Sequence, residues 1–312
     1  WRGGCARHRV PGFPIGHHAA IAWRDWAQHR YLGRLRMKSL AIVLVRLVLW
    51  SALAATMFPL FWVFLTSFKR PEISQALPPV WNFTPTLQNY RDVMTGNTYT
   101  SQAFGVLIIH SFIVTLASTF VGLAAAVPAA YALARIRFAG RRAAANWILS
   151  TIMFPPIVSV IPVFIIASRL GLIDTWPVLV IPYAAFGLPM MIWMLRSSIK
   201  QIPFEIEEAA MMDGASRIAI LRHIVLPLLT PGLVSASLLA GMMAWNEFLF
   251  ALTLSRSAVK TAPVGISEFT NMYGTQWGTL TAAATVTVAP VLVITLLLRR
   301  RVVEGLTFGA VK

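Results

Sequence analysis

The sequence predicts an all-α membrane protein with six transmembrane helices, because it is very apolar and because its charges lie between long uncharged runs. Hydrophobic residues make up 57% of the 312 residues and charged residues only 12%, and the mean hydropathy is +0.68. In a soluble domain about a quarter of the residues are charged. A membrane-spanning helix needs about 20 apolar residues. Six uncharged runs are long enough: Leu47–Leu65, Ala103–Leu133, Ala143–Ser168, Thr175–Leu195, Ile224–Asn246 and Leu280–Leu298.

A basic stretch, residues 1–36, precedes the first predicted span. It contains four of the six histidines and no methionine, whereas Met37 and Lys38 open an apolar run. We therefore expect residues 1–36 to be a basic N-terminal extension that is disordered or not native to the mature protein, and residues 37–312 to form the transmembrane domain. The alternative is that the basic stretch lies on anionic lipid.

Prolines are concentrated in the third and fourth predicted spans. A proline inside a helix removes a backbone hydrogen bond and bends the helix. The pattern is compatible with simple kinks, which membrane helices tolerate, or with broken helices around a pathway. The prolines concerned are Pro155, Pro156, Pro162, Pro177, Pro182 and Pro189.

The distribution of Lys and Arg predicts the orientation of the spans. Cytoplasmic loops carry an excess of these residues. Ala134–Arg142 contains four arginines, and Arg299–Arg301 follows the last span. Both stretches lie on one side of the membrane if six spans are threaded. We therefore expect both termini in the cytoplasm and the loops near residues 67–102 and 255–279 outside.

Composition and motifs exclude several classes of function. The net charge is +16, but no nucleic-acid recognition motif accompanies it. The single Cys5 excludes an intrachain disulfide framework and a cysteine-based metal site. No Gly-x-x-x-x-Gly-Lys-Ser/Thr motif occurs, so the chain does not hydrolyse ATP by that route. The sequence predicts neither an enzyme nor a cofactor or metal in this chain, and no nucleic-acid partner.

A polar segment, Phe204–Gly232, separates the fourth and fifth spans. Pro203 suits the first turn of a helix, and acidic residues follow it at the end of the helix that favours them. Gly214 suits a left-handed cap, and Ser216 suits the N-cap of a second short helix. The segment therefore predicts a helix, a glycine turn and a helix on the cytoplasmic side. The acidic residues are Glu205, Glu207 and Glu208.

The polar segment resembles the EAA loop of bacterial ABC-importer permeases, whose pattern is Glu-Ala-Ala, three residues, Gly, nine residues, Ile-x-Leu-Pro. Ala244–Leu254 and Arg299–Lys312 are similar to the maltose- and trehalose-type carbohydrate branch, in particular to its MalG-like permease. The matching positions of the loop are Glu208, Ala209, Ala210, Gly214, Ile224, Leu226 and Pro227.

The resemblance implies a sugar importer of the bacterial inner membrane. Its implied partners are a second homologous permease, two ATPase subunits that bind ATP and Mg, an extracytoplasmic solute-binding protein, the sugar and membrane lipid. A disaccharide such as trehalose or maltose is the expected substrate, and glycerol phosphate or another polyol is the alternative. The implied contacts with the ATPase are made by Glu208, Ala209, Ala210, Asp213 and Gly214.

The resemblance also implies two further contact regions. The loop residues expected at the binding protein are Glu268, Asn271, Tyr273 and Trp277, and the alternative is an ordinary interfacial aromatic belt. The C-terminal residues expected between the ATPases are Gly305, Thr307, Gly309 and Lys312, and the alternative is a disordered tail.

Polar residues at the end of the fifth span are candidates for the sugar pathway. Trp245, Asn246 and Glu247 combine a flat apolar wall with hydrogen-bonding groups, although Glu247 also suits a structural cap or pair. A competing hypothesis is a proton-coupled secondary transporter that uses His110 and Glu247. A membrane scaffold without transport activity would explain the spans but not the EAA pattern.

Overall fold

The computed structural model describes residues 17–96, 102–272 and 274–307, and the regular secondary structure of this part is helical apart from one short hairpin. Strands β1 (Thr270–Asn271) and β2 (Gly274–Thr275) pair antiparallel, with Thr270 opposite Thr275. The helices are α1 (His17–Thr66), α2 (Pro71–Ser74), α3 (Gln88–Thr95), α4 (Phe104–Arg135), α5 (Arg141–Ser150), α6 (Pro156–Arg169), α7 (Trp176–Gln201), α8 (Phe204–Met212), α9 (Arg217–Ile220), α10 (Leu226–Leu228), α11 (Thr230–Trp245), α12 (Leu249–Leu254), α13 (Ala262–Ser267) and α14 (Trp277–Thr307). The predicted all-α class is confirmed.

The chain divides into two units after Trp62. The described part of the first unit is a single helix, which begins at His17 and ends, within the second unit, at Thr66. The helix passes without a break through the predicted boundary between residues 36 and 37. That boundary remains a prediction, since it concerns the composition of the mature protein rather than local structure.

Four helical stretches in the described ranges are long and apolar enough to cross a membrane alone, and they overlap the first, second, fourth and sixth predicted spans. The third and fifth predicted spans each correspond to a bent pair of helices, so the total rises to six if each pair counts once. The four single stretches are Ile42–Thr66, Phe104–Arg135, Trp176–Gln201 and Trp277–Leu298.

The third predicted span, Ala143–Ser168, is broken rather than continuous. The helices Arg141–Met153 and Pro156–Arg169 meet at 93°. Phe154 and Pro155 both have extended backbones, with ψ of 122° and 123°. Each precedes a proline, and a residue before a proline is forced out of the helical region. The pair of consecutive prolines therefore breaks the span, whereas single prolines such as Pro162 lie inside helices.

The fifth predicted span, Ile224–Asn246, is also broken. The helices Arg217–Leu228 and Thr230–Trp245 meet at 78°. A π-helical stretch at Leu221–Val225 precedes the bend, and Pro231 lies just after it. π-turns and prolines are common causes of sharp bends in helices. A continuous span was predicted here, because hydropathy averaged over the segment does not register the break.

The core of the second unit is built on the packing of α4 against α7. Small buried residues recur every four positions along α4, at Ser118, Gly122, Ala126 and Ala130. Such stripes let membrane helices approach closely. A Cβ atom added at Gly122 would lie 2.9 Å from Cε of Met191 in α7. The close approach of the two helices therefore depends on these small residues.

Contacts between loops define one end of the second unit. Gln75 donates a hydrogen bond to the carbonyl of Thr275 at 2.7 Å, and Gln102 donates one to the carbonyl of Ser257 at 2.7 Å. The N-terminal end of α4 is at this end, where Phe104 packs with Phe269. The C-terminal end of α4 lies beside α8, at the opposite end. The loops near residues 67–102 and 255–279 therefore lie at the same end, as the predicted orientation requires. That this end faces the outside remains a prediction.

Candidate functional site

The polar segment forms the predicted helix, glycine turn and helix. Gly214 has a φ of 84°, in the left-handed region that favours glycine. The amide of Gly214 donates to the carbonyl of Met211, and the amide of Ala215 donates to that of Ala210, each at 3.0 Å. These bonds end α8 with a left-handed cap. The Ser216 hydroxyl accepts a bond from the amide of Ala219 at 3.3 Å and caps α9 as predicted.

The surface of the polar segment presents most of the residues that the EAA pattern identifies. Glu208, Ala209, Asp213 and Gly214 are exposed, and Ala210 is half-buried. Two large apolar side chains beside them were not predicted as site residues. Met212 is 87% exposed and Ile218 is 78% exposed. Met212 lies four residues after Glu208, on the same face of the helix, which is the signal that could have identified it.

Glu207 is buried although its neighbour Glu208 is exposed. Only 1% of Glu207 is accessible. Arg135 Nε donates to Glu207 Oε1 at 2.6 Å, and the Tyr131 hydroxyl donates to Oε2 at 2.9 Å. Both partners come from the last turns of α4. The carboxylate therefore attaches α8 to the end of α4.

Arg135 also binds the end of α7. Its Nη2 donates to the carbonyl oxygens of Ile199 at 2.9 Å and of Ile202 at 2.6 Å. Its guanidinium carbon lies 5.4 Å from the ring centroid of Phe204. One side chain thus joins α4, the last turn of α7 and the first turn of α8. Arg135 counted only toward the predicted orientation of the spans, and these contacts were not predicted, because its partners lie more than 60 positions away along the chain.

The three candidate pathway residues have separate environments. Trp245 is buried: its Nε1 donates to the carbonyl of Thr287 at 3.2 Å, and its ring meets Phe112 edge to face. Trp245 also lines an apolar cleft of about 370 Å³ between α4, α11 and α14. Asn246 is exposed and donates to the carbonyl of Met242 at 2.8 Å. The three residues do not form one polar cluster.

Glu247 caps a helix. Its carboxylate accepts hydrogen bonds from the amides of Phe250, at 3.0 and 3.2 Å, and of Ala251, at 3.3 Å, in the first turn of α12. Glu247 was predicted to be either a pathway residue or a structural cap or pair, and the structure shows the cap. His110 contacts other groups: its Nδ1 lies 3.0 Å from the carbonyl oxygen of Lys260, and its ring packs on Trp176. The proton-coupled hypothesis gains no geometric support from these contacts.

The loop that was predicted to contact a binding protein carries the β1–β2 hairpin. Glu268 forms an ion pair with Lys260 before the hairpin, Asn271 belongs to β1, and Trp277 is exposed at the start of α14. Tyr273 lies outside the described residues. Met272, which was not predicted, is 89% exposed at the tip.

The predicted ATPase-contacting tail is only partly described. Gly305 and Thr307 belong to the last turns of α14. Gly309 and Lys312 lie outside the described residues. Within the described ranges, no group of three or more His, Cys, Asp or Glu side chains could hold a metal ion.

Asp174 connects two loops at the end of the unit opposite to α8, and the sequence analysis missed it. Its carboxylate accepts bonds from four successive amides, those of residues 256–259, at 2.8–3.3 Å. Its own amide donates to the carbonyl of Leu254 at 2.9 Å. Burial raises the pKa of the Asp174 carboxyl, but the backbone bonds outweigh burial, and the net pKa is below the ordinary value.

A family model described as "Binding-protein-dependent transport system inner membrane component" matches residues 119–307, more than half of the chain. The chain is 38% identical to the trehalose transport system permease protein SugB of Mycobacterium tuberculosis, over 82% of this chain and 92% of that protein. It is 37% identical to the trehalose/maltose transport system permease protein MalG of Thermococcus litoralis, over 82% of this chain and 91% of that protein.

The fold is similar to that of a solved bacterial ABC transporter involved in the import of the acidic polysaccharide alginate. The TM-score is 0.68 and the identity is 22%, over 83% of this chain and 95% of that chain. The matching relatives are permease subunits rather than enzymes. The proton-coupled alternative gains no support from them. The chain therefore belongs to the family of binding-protein-dependent transport system inner membrane components, and it is a multi-pass permease of the plasma membrane.

Proposed function

We propose that this permease belongs to a bacterial sugar importer, that it forms half of the translocation pathway, and that its substrate is a disaccharide such as trehalose or maltose. The sugar is supported by the names of the two relatives, a trehalose and a trehalose/maltose permease. The proposed partners are a second homologous permease, two ATPase subunits that hold ATP and Mg, and an extracytoplasmic binding protein. Both termini of this chain lie in the cytoplasm.

The observation that carries the proposal is the construction of the polar segment. The short helix α8 presents Glu208 and Ala209 outward, while Glu207 attaches it to Arg135. A short helix that is exposed on one face and held by a buried ion pair on the other can transmit a movement of the ATPase to α4. The ATPase binds this surface through Glu208, Ala209, Ala210, Asp213 and Gly214. Met212 and Ile218 add an apolar contact to it.

The opposite end of the molecule receives the binding protein in this proposal. The hairpin tip at Met272 projects from the loops that Asp174 and the Lys260–Glu268 pair hold in place. Glu268, Asn271, Tyr273 and Trp277 are the residues that contact the binding protein.

The C-terminal tail belongs to the ATPase side of the proposal. Its residues Gly305, Thr307, Gly309 and Lys312 lie between the ATPases.

The sugar passes beside the end of α11. Trp245 supplies an apolar wall in the cleft between α4, α11 and α14, and Asn246 and Glu247, which do not line the cleft, supply hydrogen-bonding groups just after the C-terminal end of α11. Full uptake by an Asn246→Ala, Glu247→Ala variant at normal protein levels would exclude both residues from the pathway.

Co-purification tests the proposal. The protein is extracted from its native membrane in mild detergent, and its companions are identified by mass spectrometry. We expect an ATPase, a second permease and a solute-binding protein, and we expect the solute-binding protein to bind trehalose or maltose. A chain that purifies alone, and that catalyses proton-driven uptake in proteoliposomes without an ATPase, would refute the proposal.

A further inference from the structure

Three arginines at the junction of α4 and α5, one in the turn and two in the first turn of α5, form no ion pair with an acidic side chain among the described residues. Arg137, Arg141 and Arg142 line an open cleft of about 560 Å³ together with Phe138, Gly140 and Ala143. We call these six residues the arginine cleft. The described residues form ion pairs elsewhere, such as Arg135–Glu207 and Lys260–Glu268, and neither of these involves the arginine cleft. The charges of the arginine cleft are therefore not neutralised by that part of the chain.

The surroundings of the arginine cleft increase its positive charge. Lys200, in the last turn of α7, is close enough to Arg196 and to Arg141 of α5 for their positive charges to act on it. Arg141 and Arg142 begin α5, whose first turn contains no acidic residue. A helix carries a partial positive charge at this end and is stabilised there by anions. This arrangement of like charges is costly by itself, and a bound anion would stabilise it.

The cleft also adjoins apolar surface. The helical stretch Arg141–Met153 meets α6 at 93°, so if α6 crosses the membrane, α5 runs along its surface. Ala144, Ala145 and Ile148 pack on the core, whereas Trp147 and Leu149 are exposed, as is Phe138 in the cleft itself. Tryptophan is enriched at the level of lipid headgroups.

We propose that the arginine cleft binds the headgroup of an anionic phospholipid. Arginine forks hold phosphate oxygens through paired hydrogen bonds, and basic pockets beside membrane helices recognise anionic headgroups. Arg137, Arg141 and Arg142 hold the phosphate, and the acyl chains lie along α5 beside Trp147. A free phosphate would neutralise the charge but would leave the apolar surface uncovered. The proposal does not depend on which substrate the importer carries.

Native mass spectrometry of the purified permease complex tests this site. The complex is equilibrated with micelles that contain equal amounts of phosphatidylglycerol and phosphatidylcholine with identical chains. The cleft variant carries Arg137→Gln, Arg141→Gln and Arg142→Gln. The control carries Arg70→Gln, Arg91→Gln and Arg256→Gln, which remove the same charge at the opposite end. We expect the wild type and the control to prefer phosphatidylglycerol by about tenfold or more, and the cleft variant to lose this preference.

Three results would overturn the proposal. The first is an unchanged preference for phosphatidylglycerol in the cleft variant. The second is displacement of phosphatidylglycerol by millimolar inorganic phosphate, which would identify a site for free anions. The third is loss of the ATPase from the cleft variant, but not from the control, in phosphatidylcholine alone, which would identify a protein contact. If the triple variant does not fold, the double variant Arg137→Gln, Arg142→Gln is compared with Arg70→Gln, Arg91→Gln, which removes the same two charges, since all four side chains are exposed.

Discussion

Glu207 and Glu208 are adjacent in the sequence, yet one side chain is buried in an ion pair and the other faces solvent. Successive positions on a helix point about 100° apart, so neighbouring residues face different surroundings. The sequence identified the exposed glutamate through its EAA pattern. It did not distinguish the buried one, because the role of Glu207 depends on Arg135, which is far away along the chain.

Replacing the two glutamates one at a time distinguishes an effect on the stability of the fold from an effect on binding of the ATPase. Glu207→Ala leaves the Arg135 charge buried without its partner, and breaking such a pair costs about 3–5 kcal/mol. We expect a clearly lower unfolding temperature in detergent and less protein in the membrane. Glu208→Ala is expected to keep the unfolding temperature and to weaken retention of the ATPase during purification.

The double variant Arg135→Met, Glu207→Leu is the control for this comparison. Apolar residues of similar size often replace a buried ion pair with little loss of stability. We expect it to unfold at a higher temperature than Glu207→Ala. Equal unfolding temperatures for Glu207→Ala and Glu208→Ala would contradict the assigned role of the ion pair.

Asp174 should make stability depend on pH at acidic values. Its pKa in the folded protein is below the ordinary value of 3.8, so its contribution is complete above about that pH and is lost as the pH falls through the folded pKa. Asp174→Asn tolerates the positive φ of this position but removes the charge. Hydrogen bonds to a charged group are worth about 1.5–3 kcal/mol.

The measurement is the unfolding temperature of wild type and Asp174→Asn between pH 7 and pH 3. We expect the wild type to be more stable at pH 7 and the difference to shrink below about pH 4. A difference that is constant over this range would show that the carboxylate charge is not what holds residues 256–259.

At the scale of elements, the number of apolar runs was predictable, the break in the third was one of two alternatives left open by its prolines, and the break in the fifth was not predicted. Hydropathy sums over a window, and a window across Pro155 and Pro156 is as apolar as an unbroken helix. The signal for the first break was the pair of adjacent prolines. For the second break the π-helical stretch at Leu221–Val225 has no comparable sequence signal.

The turn between α8 and α9 should depend on the backbone conformation of Gly214 rather than on the room available for a side chain. Nothing lies within 4 Å of a Cβ atom at this position, but φ is +84°. Asparagine adopts this region and valine does so only with strain of about 1–3 kcal/mol. We expect Gly214→Val to reduce co-purification of the ATPase and Gly214→Asn to preserve it.

Gly171 provides the matched control for Gly214. It also has a positive φ, +65°, and open surroundings, but it lies in the loop after α6. Gly171→Val is expected to retain the ATPase despite similar strain. If Gly171→Val and Gly214→Val lose the ATPase equally, the effect is general instability rather than a disrupted contact surface.

At the scale of the whole molecule, the two ends of the second unit have different chemistry. One end carries the polar segment and the arginine cleft, and the other carries the hairpin and the Asp174 loops. The counts of Lys and Arg predicted this grouping of loops. The contacts within each end could not be predicted, since they join residues such as Gln75 and Thr275 across 200 positions.

Thiol labelling tests which end faces the cytoplasm. In a background with Cys5→Ser, single Met212→Cys and Met272→Cys variants place one exposed thiol at each end, because both methionines are almost fully accessible. We expect a membrane-impermeant reagent to label the residue 272 variant in intact cells, and the residue 212 variant only after permeabilisation and removal of the ATPase that is proposed to cover it. The reverse pattern would invert the predicted orientation.

The broken third span has a consequence for the bilayer itself. Pro156–Arg169 has 14 residues, which at 1.5 Å per residue gives a rod of about 21 Å, whereas the hydrocarbon layer is about 30 Å thick. A rod shorter than the layer is accommodated by local thinning of the lipid, at a cost that rises with each ångström of mismatch. If α6 alone crosses the bilayer, the bend at Pro155 therefore makes the stability of this permease depend on the thickness of the surrounding membrane.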